Sequence, residues 1–253
     1  PTLFPVPDHS EVPFDPFAAT FYLLTRYEEY LPHIKDKHER FSAESSIAYK
    51  AGFLQRPVVD EWSLLLKEIV SDRFPEFEWP KRSFEFINTI DIDNAYAYKA
   101  KGLMRTLGGL ARSMAEFKGR EFWDRLLVIL GLRQDPYDTF AYLKDLQQAY
   151  GLKTIYFFLL ADYGLNDKNV PYTNPRFRSL IKDVADYALV GIHPSYGSNK
   201  KKSRLEAEVG RLEGIIHREV TRSRQHFLKL TIPETYRNLI DLDITDDYTM
   251  GYA

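Results

Sequence analysis

The chain has 253 residues, 44% of them hydrophobic, and its 34 basic and 36 acidic side chains leave a net charge of −2. This composition supports a substantial core, and the interspersed charges produce no long-range field that would favour nucleic acid or an acidic membrane, so a small or neutral ligand fits better. The absence of cysteine excludes disulfides and thiolate metal sites, no apolar stretch approaches the roughly 20 residues that span a bilayer, and the N-terminus is no secretory signal, so a soluble, cytoplasmic protein is expected.

A change of pattern near Trp79-Pro80-Lys81 predicts a mostly helical N-terminal extension over residues 1–80 and an α/β domain over 81–253. Asp15-Pro16 joins a capping acid to a first-turn proline and opens a helix through Phe17, Phe21, Leu24 and Tyr27 to about Leu31. A second helix from Pro57 to about Val70 sets Val58, Trp62, Leu65, Leu66 and Ile69 on one face. Beyond Phe84 the apolar runs at 84–92, 154–161, 188–192 and 226–230 read as strands buried on both faces, which implies a mainly parallel sheet.

Helical patterns separate these runs. The insert from Lys99 to Leu132 reads as helical, Asp135-Pro136 leads into Phe140, Leu143, Leu146 and Tyr150 before Gly151, and Asn174-Pro175 leads into Phe177, Leu180, Ile181 and Val184. Ser203 with Glu206 makes a capping box for a helix through Leu205, Val209, Leu212, Ile215 and Ile216. The basic run Lys200-Lys201-Lys202 reads as a solvated loop or helix entry, and a weaker apolar run follows at 239–244. Alternating strands and helices predict an α/β barrel or open sheet, with functional groups at the C-terminal ends of the strands. The chain starts without Met and stops at Gly251-Tyr252-Ala253, so a piece of something longer is expected.

Polar residues gather at those strand ends: Asp91 and Asp93, then Asp162, then His193, then Asp246 and Asp247, with His226 at the start of its run. In Thr89-Ile90-Asp91-Ile92-Asp93-Asn94 the two acids lie two apart on a strand and point to one side, where they could share a metal ion or a substrate; capping of a turn by one and solvation of the other is the alternative. His193 ends its strand in the hydroxyl-rich Gly191-Ile192-His193-Pro194-Ser195-Tyr196-Gly197-Ser198-Asn199, and a neutral imidazole beside carboxylates is a good zinc ligand. Arg224, in Arg222-Ser223-Arg224-Gln225-His226-Phe227, could pair with a carboxylate in the cleft or stay solvated. No nucleophile elbow, phosphate loop or H-E-x-x-H motif is present, which removes serine hydrolase, NTPase and zincin chemistry.

From Phe84 onward the order of motifs resembles the polysaccharide deacetylase (NodB-homology) family, a distorted β/α barrel that hydrolyses acetyl groups on sugars. Thr89-Ile90-Asp91-Ile92-Asp93 looks like a spaced version of that family's T-F-D-D strand end, and His193-Pro194-Ser195-Tyr196-Gly197 like its H-[ST]-x-x-H motif with Gly197 in place of the second histidine. The resemblance implies a distorted, incomplete (β/α) barrel in which Asp91 is the base, Asp93 and His193 hold a divalent metal ion, zinc above others, and Arg224 orients Asp91. His226 or Ser198 would complete the ligand set, and His226 is also a candidate catalytic group. Asp162, Tyr163, Tyr196 and Ser198 are the candidate substrate contacts, for an acetylated carbohydrate or a related small amide. The family's proline-bearing arginine motif and its later leucine-histidine motif have no counterpart here. The residues before Trp79, with Pro13-Phe14-Asp15-Pro16-Phe17 and Arg26-Tyr27-Glu28-Glu29-Tyr30, resemble the extension that precedes this domain in a bacterial subgroup. A barrel without a working metal site, stacking sugars on Tyr163, Tyr196 and Tyr248, is the alternative, and Gly197 favours it.

Overall fold

The computed structural model describes residues 3–252, and the chain forms two compact units. One contains the residues up to Phe84 together with Thr231–Pro233 and the terminal Gly251 and Tyr252; the other contains Glu85–Leu230 and Glu234–Met250. The division thus falls at 84/85, slightly beyond the expected 80/81, and the later part of the chain returns twice to the first unit.

In the first unit, α1 (Pro16–Leu24) is capped by Asp15, whose carboxylate accepts the backbone N–H groups of Phe17 at 2.9 Å and Ala18 at 3.0 Å. The helix ends well before Leu31 because Arg26 adopts a left-handed φ of 50° and the chain tightens into a 3₁₀ turn at Tyr27–Tyr30. The short α2 (Ile47–Lys50) and the longer α3 (Val58–Arg73) follow, and Trp62 of α3 packs on Phe14 at 5.1 Å between ring centroids. Arg26 explains the return of the C-terminal residues: it donates to the Gly251 carbonyl at 2.7 Å and lies 4.6 Å over the Tyr252 ring.

The second unit is built on five parallel strands in the order of the sequence: β1 (Ile87–Ile92), β2 (Lys153–Phe158), β3 (Leu189–Ile192), β4 (Arg222–Ser223) and β5 (Asp246–Asp247). The helices α4 (Leu103–Ala115), α5 (Gly119–Ile129) and α6 (Phe140–Tyr150) connect β1 to β2, α7 (Pro175–Ala185) connects β2 to β3, α8 (Lys202–Ile216) connects β3 to β4, and α9 (Glu234–Ile240) precedes β5. An all-parallel sheet in sequential order is the arrangement of a β/α barrel left open, so the α/β class and the incomplete barrel are as expected. The start of α7, capped by the Asn174 side chain, and the end of α6, closed by Gly151 in the left-handed region, also match, whereas α6 starts only at Phe140 and is not capped by Asp135.

Side-chain alternation divides the sheet into two faces. Ile92, Tyr156, Phe158 and Ile192 pack with Phe177, Ile181 and Val184 of α7 and with Leu205, Val209, Leu212 and Ile215 of α8 in one core. Asp91, Phe157 and Gly191, which are mutual register partners, belong to the opposite face. Gly191 is required there: a Cβ would stand 2.6 Å from the Phe157 ring and 2.8 Å from the Arg222 carbonyl oxygen.

Four expectations fail. The 226–230 run is not a strand, since β4 is already over at Ser223 and His226–Leu228 forms a tight turn with Phe227 and Leu228 at φ 62° and 50°. The 239–244 run is the end of α9 and the turn after it, so Asp246 and Asp247 are themselves β5 rather than its exit. Short apolar runs mark burial, which Leu230, Leu239 and Ile244 reach without strand backbone. The capping box does not form either, because α8 begins at Lys202 and Ser203 already lies inside its first turn. Finally, β1 is shorter than the run that announced it, with Phe84 93% exposed.

Candidate metal centre

Parallel strands bring their C-terminal ends to one side of the sheet, and three metal-capable side chains meet there. Asp93 directly follows β1; His193 directly follows β3 and donates its backbone N–H to the Phe158 carbonyl at 2.9 Å; His226 sits in the turn after β4 with its N–H on the Pro194 carbonyl at 3.1 Å. His193 Nε2 lies 3.2 Å from Asp93 Oδ1 and His226 Nε2 lies 3.7 Å from Asp93 Oδ2, with the imidazole centroids 5.0 Å apart. All three donors fall within 4.8 Å of one another, and no other such group occurs among the described residues.

The partners of the far ring nitrogens settle which nitrogen faces inward. His193 Nδ1 donates to the Arg224 carbonyl oxygen, which can only accept, and His226 Nδ1 is 3.0 Å from the buried carboxylate of Asp167. Both Nε2 atoms are therefore directed at Asp93. Ligands held 2.0–2.1 Å from a tetrahedral ion stand ~3.3–3.4 Å from each other, a spacing bracketed by the 3.2 and 3.7 Å separations here. In donor type, tautomer and spacing, these residues fit a divalent metal ion.

Without a metal, charge is balanced by protons. Hydrogen bonding from His193, then from His226, holds the Asp93 carboxyl far below the usual carboxylate range, against the opposing effect of burial. Burial works against the His226 cation, but hydrogen bonds to Asp167 and Asp93 more than offset it and raise its pKa to about 9. A proton on His226 Nε2 thus occupies the side of the ring where a metal cation would bind.

Two carboxylates that the sequence analysis did not single out steady this arrangement. Asp167, in the loop after β2, also accepts the Tyr196 N–H at 2.9 Å, and Glu208 of α8 accepts the Ser195 N–H at 2.9 Å. The loop after His193 is therefore pinned on both sides. Burial pushes the Glu208 carboxyl up, partly countered by hydrogen bonds from Ser195. Glu208 had a visible signal, a charge on the apolar stripe of α8 between Leu205 and Val209. Asp167, inside the polar Asn166-Asp167-Lys168-Asn169, looked like any solvated loop acid.

Asp91 lies on the same side of β1 as Asp93, and Arg224 approaches it with Nε 3.6 Å from Oδ2 while donating to the Thr89 hydroxyl at 3.0 Å. A cleft of about 630 Å³ opens over the site, lined by Asp91, Asp93, His226, Tyr137, Phe140 and Lys168 among others. One wall is tied down by Asp135, 1% exposed, whose carboxylate accepts the N–H groups of Ala97, Tyr98, Lys99 and Tyr137 at 2.7–3.0 Å.

The four candidate substrate contacts do not line this cleft. Asp162 pairs with Arg211 at 2.8 Å, Tyr163 lies under the Arg105 guanidinium at 4.2 Å, and the Tyr196 ring meets Phe227 at 5.4 Å and the Lys229 ammonium at 4.3 Å. Ser198 is buried and its hydroxyl donates to the Ser195 carbonyl at 2.7 Å, which takes it out of the ligand set. Gly197 lies against the Arg204 guanidinium, so the space next to it is already filled. Asp247 accepts the Ser223 and Thr249 hydroxyls, each at 2.7 Å, and Tyr248 packs on Phe157 at 5.3 Å.

Residues 1–75 match the model of a family of unknown function, DUF7033. No curated protein matches the sequence. Among solved structures, the chain is similar to a provisionally designated polysaccharide deacetylase from Mycobacterium smegmatis, with 14% sequence identity, a TM-score of 0.41, and coverage of 68% of this chain and 53% of that one. The chain thus spans about half the length of that protein.

Proposed function

We propose that the chain is a divalent-metal hydrolase of C–N (amide) bonds that uses zinc and removes an acetyl group from an acetylated carbohydrate or a related amide. The observation that carries this reading is the convergence of Asp93, His193 and His226, with each imidazole's Nδ1 already engaged and its Nε2 turned inward. Three nitrogen and oxygen donors suit a catalytic zinc, which keeps a fourth position open. The amide and the sugar come from the resemblance of Thr89–Asp93 and of the His193 loop to the deacetylase motifs.

When bound, zinc supplies a Lewis acid that polarises the scissile carbonyl and brings a coordinated water to a pKa of about 7. Asp91 is the base in this reading: it opens on the cleft, stands beside Arg224 and takes the proton from the attacking water. Arg224 keeps Asp91 oriented through its second contact to Thr89. His226 is assigned to the ligand set rather than to proton transfer, because Asp167 occupies its Nδ1. This third donor makes good what Gly197 lacks and favours an enzyme over a barrel that only binds sugars.

Calorimetric titration of zinc into metal-stripped protein is expected to give one-to-one binding that is lost in His193→Ala. The zinc-loaded chain should release acetate from N-acetylated oligosaccharides and stop on chelation. Absence of zinc binding to the wild type would overturn the reading, and zinc binding without acetate release from a broad panel would point to the sugar-binding alternative.

A further inference from the structure

Once Asp93 and His226 are committed to the metal and Asp91 to Arg224, one charged side chain in the cleft lining has no assigned role. Among the described residues, Lys168 is the only cation there besides His226, and its ammonium makes no hydrogen bond or ion pair within the protein. Exposed lysines are ordinary; the backbone beneath this one is not. Asp167 and Asn169 on either side are 8% and 2% exposed. Asp167 is held by the Tyr196 N–H and by His226, and the Asn169 side chain donates to the Ala161 and Val170 carbonyls at 2.9 and 3.1 Å. Arg105 reaches across from α4 to donate to the Asn169 carbonyl at 3.1 Å and the Lys168 carbonyl at 3.4 Å.

Lys168 therefore stands on a rigid backbone, next in sequence to the carboxylate that orients a metal ligand, with its ammonium free to meet a ligand in the cleft. Such preorganisation leaves only side-chain freedom to be lost on binding. Arg105, the anchor of this segment, adds a second positive charge beside it: burial first, and then the charge of Arg105, draw Lys101 down to about 8 against the opposing charge of Asp135. With a dication on the triad, the carboxylates of Asp91, Asp93 and Asp167 stand against that ion, Lys168 and Arg224, so the balance of charge around the cleft is still positive.

We propose that Lys168 is the counter-ion for a negatively charged substituent of the substrate, so that the cleft prefers an acidic N-acetylated saccharide to a neutral one; this rests on the amide-hydrolase reading above. The ammonium is a compact, rotatable point charge, suited to a single carboxylate such as that of a uronic acid.

The test compares binding of two tetrasaccharides to the zinc-loaded chain by calorimetry: one of alternating N-acetylglucosamine and glucuronic acid, the other of N-acetylglucosamine alone. The wild type is expected to bind the acidic probe about three- to tenfold more tightly, the size of a partly exposed ion pair. Added salt should shrink that ratio. In Lys168→Met the ratio should fall to about one, and in Lys168→Arg it should persist; an unchanged Tm verifies that the variants fold. Equal binding by the wild type, a preference that survives Lys168→Met, or no binding of either probe would overturn the proposal. Zinc titration of the same samples separates the two failures: one-to-one zinc binding without the preference removes only the role of Lys168, whereas loss of zinc binding removes the hydrolase reading itself.

Discussion

His226 shows how much a single side chain's role depends on what touches its other end. In the sequence it stands before an apolar run, where it reads first as a strand opener, and only the family resemblance makes it a catalytic group or a third ligand. The contact between its Nδ1 and Asp167 at 3.0 Å turns Nε2 toward Asp93, which is the arrangement the ligand reading needs. Carboxylates behind metal-bound histidines generally contribute 10- to 100-fold to metal affinity. Asp167→Ala is accordingly expected to weaken zinc binding by about that factor, with Asp167→Asn retaining more because its amide oxygen still accepts a hydrogen bond. Competition against a chromophoric chelator measures this directly, and a loss below about threefold would deny Asp167 the orienting role. Asp91, Asp93 and His193 were legible as candidates because each stands at the end of an apolar run, whereas Arg224 was legible only as a charge able to pair with a carboxylate and through the family resemblance. Asp167 gave no local signal and the charge of Glu208 on an apolar stripe gave no role, since a carboxylate's burial and partners depend on segments distant in sequence.

The segments before α4 and before α6 are tied together by Asp135, which acts as a clamp rather than as a helix cap. The sequence pairs this acid with Pro136 as a helix start, and α6 does begin shortly after, at Phe140; yet the carboxylate of Asp135 faces the other way, onto the N–H groups of Ala97, Tyr98, Lys99 and Tyr137. Removing it orphans four donors beneath a 1% exposed position, so Asp135→Ala should cost about 2–4 kcal/mol in urea denaturation at pH 7. Burial alone would raise its pKa, but the four N–H groups outweigh burial and bring it below the ordinary 3.8. A carboxyl with a lowered folded pKa binds fewer protons folded than unfolded. Its contribution is therefore fully present above about pH 4 and is lost as the pH falls through the folded value. Denaturation curves from pH 7 to pH 3 should show a smaller acid-side loss for Asp135→Ala than for the wild type, and parallel curves would refute the assignment. Helix starts at Asp15 and Asn174 were legible because a cap and a first-turn proline are adjacent in sequence, whereas a clamp across nearly forty positions is not a local signal.

Stability across the sheet should be uneven. β1, β2 and β3 pair over long stretches, and Tyr156, Phe157 and Phe158 are completely buried, while β4 and β5 contribute two residues each and are followed by polar turns. Amide exchange is expected to be slower by at least about an order of magnitude across 155–158 and 190–192 than across 222–223, 246–247 and the turn at 226–228. Uniform protection would show that the sheet opens only as a whole. The weakly paired side carries His226 and Arg224, so the strongly paired side supplies Asp91, Asp93 and His193 as a fixed reference for the site. From the sequence alone come the α/β class, the parallel sheet, most of the helices and the concentration of acids and imidazole at strand ends. These follow from hydrophobic period, caps and the polarity of strand exits, all of which are local. Only the tertiary structure decided that β4 and β5 are two-residue strands, that His226 completes the metal-capable triad, and that Asp167 and Glu208 hold the loop behind it. Each of these depends on contacts between segments far apart in the chain, where burial and hydrogen-bond partners, rather than the pattern around a residue, determine its role.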